Sequence, residues 1–219
     1  MTSARRNTNG AAAVSTSIVT PLPRQRTGAS LGAYDGPAIA LHWVTAALIV
    51  ANWLLGLSMV PLPISPRKLH WYLLHKSIGL SVLLLTSLRV GWRTLRAPPA
   101  LVPMPAWQRR AAHVSHFLLY ALLFAIPLSG WLYSSATGVQ VVYLGLVPLP
   151  NLVPKDRVLG DALRLVHVGL NATLAAVVCV HAVAAIRHHV VDRDATLARM
   201  LPRFARRASA PVNVRASPR

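Results

Sequence analysis

Four long apolar runs, separated by short basic or proline-bearing segments, constrain this chain more than any other feature. They fall at about residues 38–59, 71–92, 111–134 and 161–190. The hydrocarbon core of a bilayer is about 30 Å thick, and roughly 20 residues of helix cross it. The pattern therefore predicts an all-α integral membrane protein, a bundle of four transmembrane helices. Composition agrees: 54% of residues are hydrophobic, 13% are charged, and the mean hydropathy is +0.47. That balance belongs to membrane proteins rather than soluble domains. Pro61 and Pro63 close the first run and Pro98-Pro99 follow the second. Pro127 lies inside the third, where bundle neighbours can absorb a kink. Segment 135–160 carries Pro148, Pro150 and Pro154 and is read as a long loop, with room for a short interfacial helix. Most of the six tryptophans fall near run ends, as in an aromatic belt.

Charge sets the orientation. There are 23 Lys and Arg against 5 Asp and no Glu, a net charge of +18. The basic residues sit between apolar runs and leave no basic soluble domain, which excludes nucleic acid as a partner. Seventeen of them fall in the N-terminal segment, between Arg89 and Arg110, and from Arg187 onward. The remaining six, Arg67, Lys68, Lys76, Lys155, Arg157 and Arg164, belong to the opposite side. Positive charge favours the cytoplasm, so both termini are expected there. Residues 1–36 are polar, basic and free of acids before Asp35, which reads as a disordered N-terminal extension. The same composition also fits an organellar transit peptide. Residues 37–190 form the helical domain, and 191–219 a basic cytoplasmic tail. Cys179 is alone, so the chain has no intrachain disulfide, no CxxC pair and no CxxCH for covalent haem attachment.

Histidines inside the runs point to chemistry. His167 and His181 are fourteen residues apart, which on a helix is a turn of only about 40° and a rise of roughly 21 Å. They lie near one stripe, one towards each side of the membrane. Ionisable groups at such depth are costly and face the protein interior, usually at a site. A partner at matching depth exists for each: His75 opens the second run on the outer side, and His42 opens the first on the cytoplasmic side. The pairs His75/His167 and His42/His181 could each clamp one haem iron through neutral imidazole nitrogens. Gly79 and Gly169 lie near ligands and could admit a flat macrocycle. A plainer reading makes these histidines hydrogen-bonded structural residues, and a chemical rival makes them ligands of a metal-transport path. Transport would be expected to use carboxylates or sulfur as well, and no acid lies deep in the spans. His70, His113, His116, His188 and His189 fall at span ends and read as interfacial residues.

Several stretches together resemble the bacterial cytochrome b-561 proteins, a family that includes a superoxide:ubiquinone oxidoreductase. They are Ala40-Leu-His-Trp43, Leu74-His-Lys-Ser-Ile-Gly79, and the run from His113-Val-Ser-His116 to Pro127-Leu-Ser-Gly130. His167, His181, His188-His189 and Asp194-Ala-Thr-Leu-Ala-Arg-Met-Leu-Pro202 complete the set. The resemblance covers roughly 38–202 and leaves the N-terminal extension outside. It implies four spans in a bacterial inner membrane and two b-type haems. Its ligand positions fall on His42, His75, His167 and His181.

The expected activity is that of an oxidoreductase, passing single electrons between an outer donor and quinone, with ubiquinone as the substrate the resemblance implies. A cationic outer mouth would steer a small anion such as superoxide; it could also receive a redox protein or simply snorkel into the interface. Arg89, fourteen residues after His75, is placed to bind a haem propionate or to reach headgroups. His188, one heptad beyond His181, is a candidate proton donor to quinone. The alternatives are a non-catalytic cytochrome b anchor for a dehydrogenase or hydrogenase, and a His-lined metal transporter.

Overall fold

The computed structural model describes residues 33–202, and expectations for 1–32 and 203–219 lie outside the described residues. Four helices account for most of them: α1 (Gly36–Met59), α2 (Pro66–Leu95), α3 (Ala106–Ala136) and α4 (Arg157–Val190). Each is long and apolar enough to cross a membrane. All but α1 run well past the apolar runs, because local capping rather than hydropathy sets where a helix starts. The Asp35 carboxylate accepts from the Ala38 amide, the Ser65 hydroxyl from Lys68, and the Asp156 carboxylate from Leu159. Pro66 sits in the first turn of α2, where its missing N–H costs nothing. Helix α3 starts after Pro105 and continues through Pro127.

Consecutive helices pack side by side: α1 on α2, α2 on α3, and α3 on α4. A cleft reached by all four helices lies within the bundle. The described chain ends and the 96–105 connection share one end of the bundle, called here the terminus end. The α1–α2 and α3–α4 connections form the loop end. Leu54, Leu84, Phe117 and Val183 point outward, as a lipid-facing surface requires. The inward core is a layer at mid-height, made by Val82, Leu122, Leu123 and Leu174 with Ile49 packed against them.

The loop after α3 forms no interfacial helix. It folds into a hairpin of β1 (Val142–Tyr143) and β2 (Val147–Pro148), paired antiparallel. Leu144 and Gly145 take left-handed backbone, with φ of 53° and 72°, and reverse the chain. A helix here would have to carry Gly145, Pro148 and Pro150 in its interior. At the other end, residues 191–202, the start of the segment expected as a tail, fold back onto the bundle. The Trp43 indole donates to the Met200 carbonyl at 2.8 Å, and Arg199 donates to the Ala100 carbonyl at 2.8 Å.

Candidate cofactor sites at two levels

A seven-residue ladder runs through every helix. Seven residues turn an α-helix by two revolutions less about 20° and advance it roughly 10 Å, so the rungs stay on one face. On α1 the rungs are His42, Ile49 and Gly56; on α2, Arg89, Val82 and His75. On α3 they are His116, Leu123 and Gly130; on α4, His181, Leu174 and His167. The middle rungs are the apolar core layer. Above and below it lie two levels, and every intramembrane histidine of the described residues belongs to one of them.

At the loop end, His75 and His167 face one another with ring centres 6.3 Å apart and planes at 81°. A metal held at about 2 Å from one nitrogen of each ring would separate the centres by roughly 6 Å. Both rings are held from behind in the same way. His75 Nδ1 donates to the Asn52 carbonyl at 3.2 Å, and His167 Nδ1 donates to the Ile126 carbonyl at 3.1 Å. A proton fixed on Nδ1 leaves the Nε2 lone pair of each ring for a metal. Four residues beyond each accepting carbonyl stands a glycine. A Cβ on Gly56 would lie 3.2 Å from His75 Cε1, and one on Gly130 would lie 3.0 Å from His167 Cε1. The glycines are notches that let an imidazole reach a helix backbone already engaged in its own ladder. Ser129 adds a contact on one side only, its hydroxyl 3.0 Å from His167 Nδ1 and donating to the Ile126 carbonyl at 2.8 Å.

Around this pair the cleft holds about 1280 Å³, counted with its open side, and its walls are mostly apolar. Its apolar wall and open side suit a flat apolar group. Gly79 lines the cleft as expected. Gly169 is not among the cleft-lining residues, and nothing lies within 4 Å of where its Cβ would be. The glycines that matter, Gly56 and Gly130, act across a helix interface, and sequence spacing along one helix does not reveal them.

The terminus-end level is built differently. His42 lies within electrostatic reach of His181, His116 and Arg89. Its ring contact is with Trp43, at 5.3 Å, while His181 meets His116 edge to face at 5.4 Å. His116, read from sequence as interfacial, therefore stands inside the bundle beside His181. The reason is that α3 begins ten residues earlier, at Ala106. The His42 Nδ1, Thr45 Oγ1, Thr86 Oγ1 and Ser115 Oγ atoms are buried with no hydrogen-bond partner. Buried polar atoms are normally satisfied, and a group of orphans at the level of three imidazoles and one guanidinium fits a polar-edged cofactor. Arg89 meets the Tyr120 ring at 5.4 Å. None of the ion pairs among the described residues involves it.

Two further predicted residues are placed clearly. Of the six loop-end cations only Lys76 lines the cleft. Lys68 is spent on the Leu62 carbonyl and Arg67 stacks over Trp71 at 4.9 Å. His188, about 10 Å beyond His181 along α4, is held by Asp194 at 2.7 Å and Asp192 at 3.4 Å. Burial pushes the Asp194 carboxyl up, but hydrogen bonds from Thr196 and His188 outweigh it and hold it below its ordinary range.

Residues 33–203 match the family model described as prokaryotic cytochrome b561. The chain is 35% identical to cytochrome b561 homolog 2 of Escherichia coli over 175 residues, 77% of this chain and 90% of that one. It is 31% identical to a Yersinia pestis protein named probable superoxide oxidase CybB over 174 residues, 78% and 96% of the two chains. Cytochrome b562 of Cereibacter sphaeroides is 29% identical over 174 residues, 77% and 94% of the two.

Proposed function

Since the chain belongs to the prokaryotic cytochrome b561 family, a family of haem-b membrane electron carriers, we propose that it is a di-haem superoxide:ubiquinone oxidoreductase. One haem is held by His75 and His167 at the loop end, the other by His42 and His181 at the terminus end. The observation that carries this reading is the opposed pair His75/His167, each ring tied back through Nδ1 with its Nε2 left for iron. Similarity to a protein named superoxide oxidase supports the donor. The positive bias of the termini supports a terminus end in the cytoplasm of a bacterial inner membrane.

Bound haem supplies a one-electron carrier at each level. The balanced reaction oxidises two superoxide ions to two dioxygen molecules and reduces one ubiquinone, with two protons, to the quinol. The chain's own residues supply the rest. Lys76, on the cleft wall and in no ion pair among the described residues, draws the anion to the loop-end site. Arg89 neutralises a propionate at the terminus-end level. His188, its Nδ1 held by Asp194, presents Nε2 as the proton donor to quinone.

The test uses the full chain in lipid nanodiscs. Two haems per chain, a reduced-minus-oxidised b-type spectrum and superoxide-driven quinone reduction by the chain alone are expected. Inactivity alone with a co-purifying dehydrogenase would make the protein an anchor subunit. Bound metal without a Soret band would make it a transporter.

A further inference from the structure

The α3–α4 connection carries no charged residue from Gly138 to Pro154, an unusual stretch for a loop in water. Its hairpin tip is also apolar and outward-facing: Leu144, Leu146 and Val147 are 59%, 80% and 52% exposed. The hairpin does not stand above the bundle. The Leu144 amide donates to the Ser77 hydroxyl at 3.0 Å, and the Tyr143 and Ser81 hydroxyls are 3.1 Å apart. Ser77 lies six residues past the start of the apolar run at 71, about 9 Å along the helix axis. Ser81 lies one turn deeper, at the midpoint of α2.

Non-helical backbone survives at such depth only when its polar groups are satisfied. Here they are. The strands pair with each other, Leu146 donates to Tyr143, and Leu149 donates to Val141. Leu144, whose amide would otherwise point at lipid, has Ser77. Pro148 and Pro150 carry no N–H to satisfy. Reciprocally, Ser77 is fully covered although it lies some 200° around α2 from His75. Without the hairpin, both serines would be polar groups on the flank of α2.

We propose that residues 139–149 form a re-entrant hairpin that descends into the lipid on the flank of α2, its leucine tip in contact with acyl chains. The partner is the bilayer interior, because the tip continues the apolar outer surface of the helices and offers water or a soluble protein no charge. The base of the same hairpin, Val141, is buried and lines the cleft beside His75 and His167. The element thus joins the membrane to the wall of the loop-end site. The inference needs only the membrane bundle and stands whether or not the donor is superoxide.

The test uses haem-loaded protein in nanodiscs, in a Cys179→Ala background that keeps its Soret spectrum. Leu144→Cys and Leu146→Cys are compared with Leu84→Cys, on the lipid face of α2, and Asn151→Cys, exposed near the loop base. Nitroxides at 144 and 146 should match position 84 in favouring oxygen over a water-soluble nickel relaxant. Both cysteines should react with an impermeant maleimide at least tenfold more slowly than position 151. Reaction as fast as position 151, with nickel accessibility to match, would overturn the proposal and return the hairpin to water as a docking surface.

Discussion

Replacing Gly130 with alanine should weaken the loop-end haem while strengthening the bare helix. The new Cβ would lie 3.0 Å from His167 Cε1 and 3.3 Å from Nδ1, against about 3.5–4.0 Å for a comfortable carbon contact. The ring must retreat by roughly half an ångström. It cannot do so freely, because Nδ1 is tied to the Ile126 carbonyl at 3.1 Å and touches Ser129 at 3.0 Å. Overpacking of this kind costs about 1–3 kcal/mol, and a lost hydrogen bond about 1 kcal/mol. Helix propensity returns at most about 1 kcal/mol for Gly→Ala. A net loss of ~1–2 kcal/mol is a 5- to 30-fold weaker hold on haem at that level. Haem titration followed at the α-band, with the two haems separated by potential, reads this directly. Gly56→Ala, at 3.2 Å, should lose less, and Gly169→Ala, in open space, nothing. Unchanged haem affinity in Gly130→Ala, or loss of the terminus-end haem first, would refute the notch.

Replacing His75 or His167 with alanine should empty the loop-end haem and leave the other. Replacing His42 or His181 should do the reverse, read as haem per chain; loss of both haems in every variant would leave the pairing unsupported. Lys76→Gln should slow superoxide oxidation several-fold at low salt and flatten its ionic-strength dependence, with Lys76→Arg restoring both; stopped-flow rates against salt check it. The Asp194 carboxyl is held below its ordinary range in the folded chain. Its stabilisation of the 191–202 segment is therefore complete above the unfolded carboxylate pKa of about 4 and is lost as pH falls below that value. Protection against hydrogen exchange over 192–201, taken relative to the intrinsic rate at each pH, should fall on acidification and, in Asp194→Asn, should be low already at pH 7.

The spans were legible because a bilayer demands length and apolarity at once, and the shared stripe of His167 and His181 because they are two heptads apart on one run. Asp35, Ser65 and Asp156 cap three of the helices, but the starts were read from hydropathy alone and most fell too late. Arg67, Lys68, Arg109 and Arg110 lie on helical turns that continue beyond the apolar runs. That error moved His116 to a span end when it stands two turns and more inside α3. The glycine notches were out of reach, because each depends on which residue of a neighbouring helix lies opposite. The hairpin was missed because an apolar loop with prolines has no period of its own; its place is set by Ser77 and Ser81 on another element.

The two levels share a ladder but not a chemistry, and the difference supports a division of labour. At the loop end, the rungs opposite the histidines are Gly56 and Gly130, and the imidazoles lean on backbone carbonyls whose polarity does not change with pH. Two heptads away the same rungs are His42 and His116, and the opposing α2 rung is Arg89. In the proposed reaction the loop end takes the step that moves an electron and no proton, and glycine notches suit such a step. Quinone reduction needs two protons per turnover, and the imidazoles, the guanidinium and the His188–Asp194 pair are gathered at the terminus end. A chain working in the opposite direction would need proton-handling groups at the loop end. There, among the titratable groups lining the cleft, Lys76, Tyr72, Tyr133 and Cys179 join the paired histidines, and no carboxylate does.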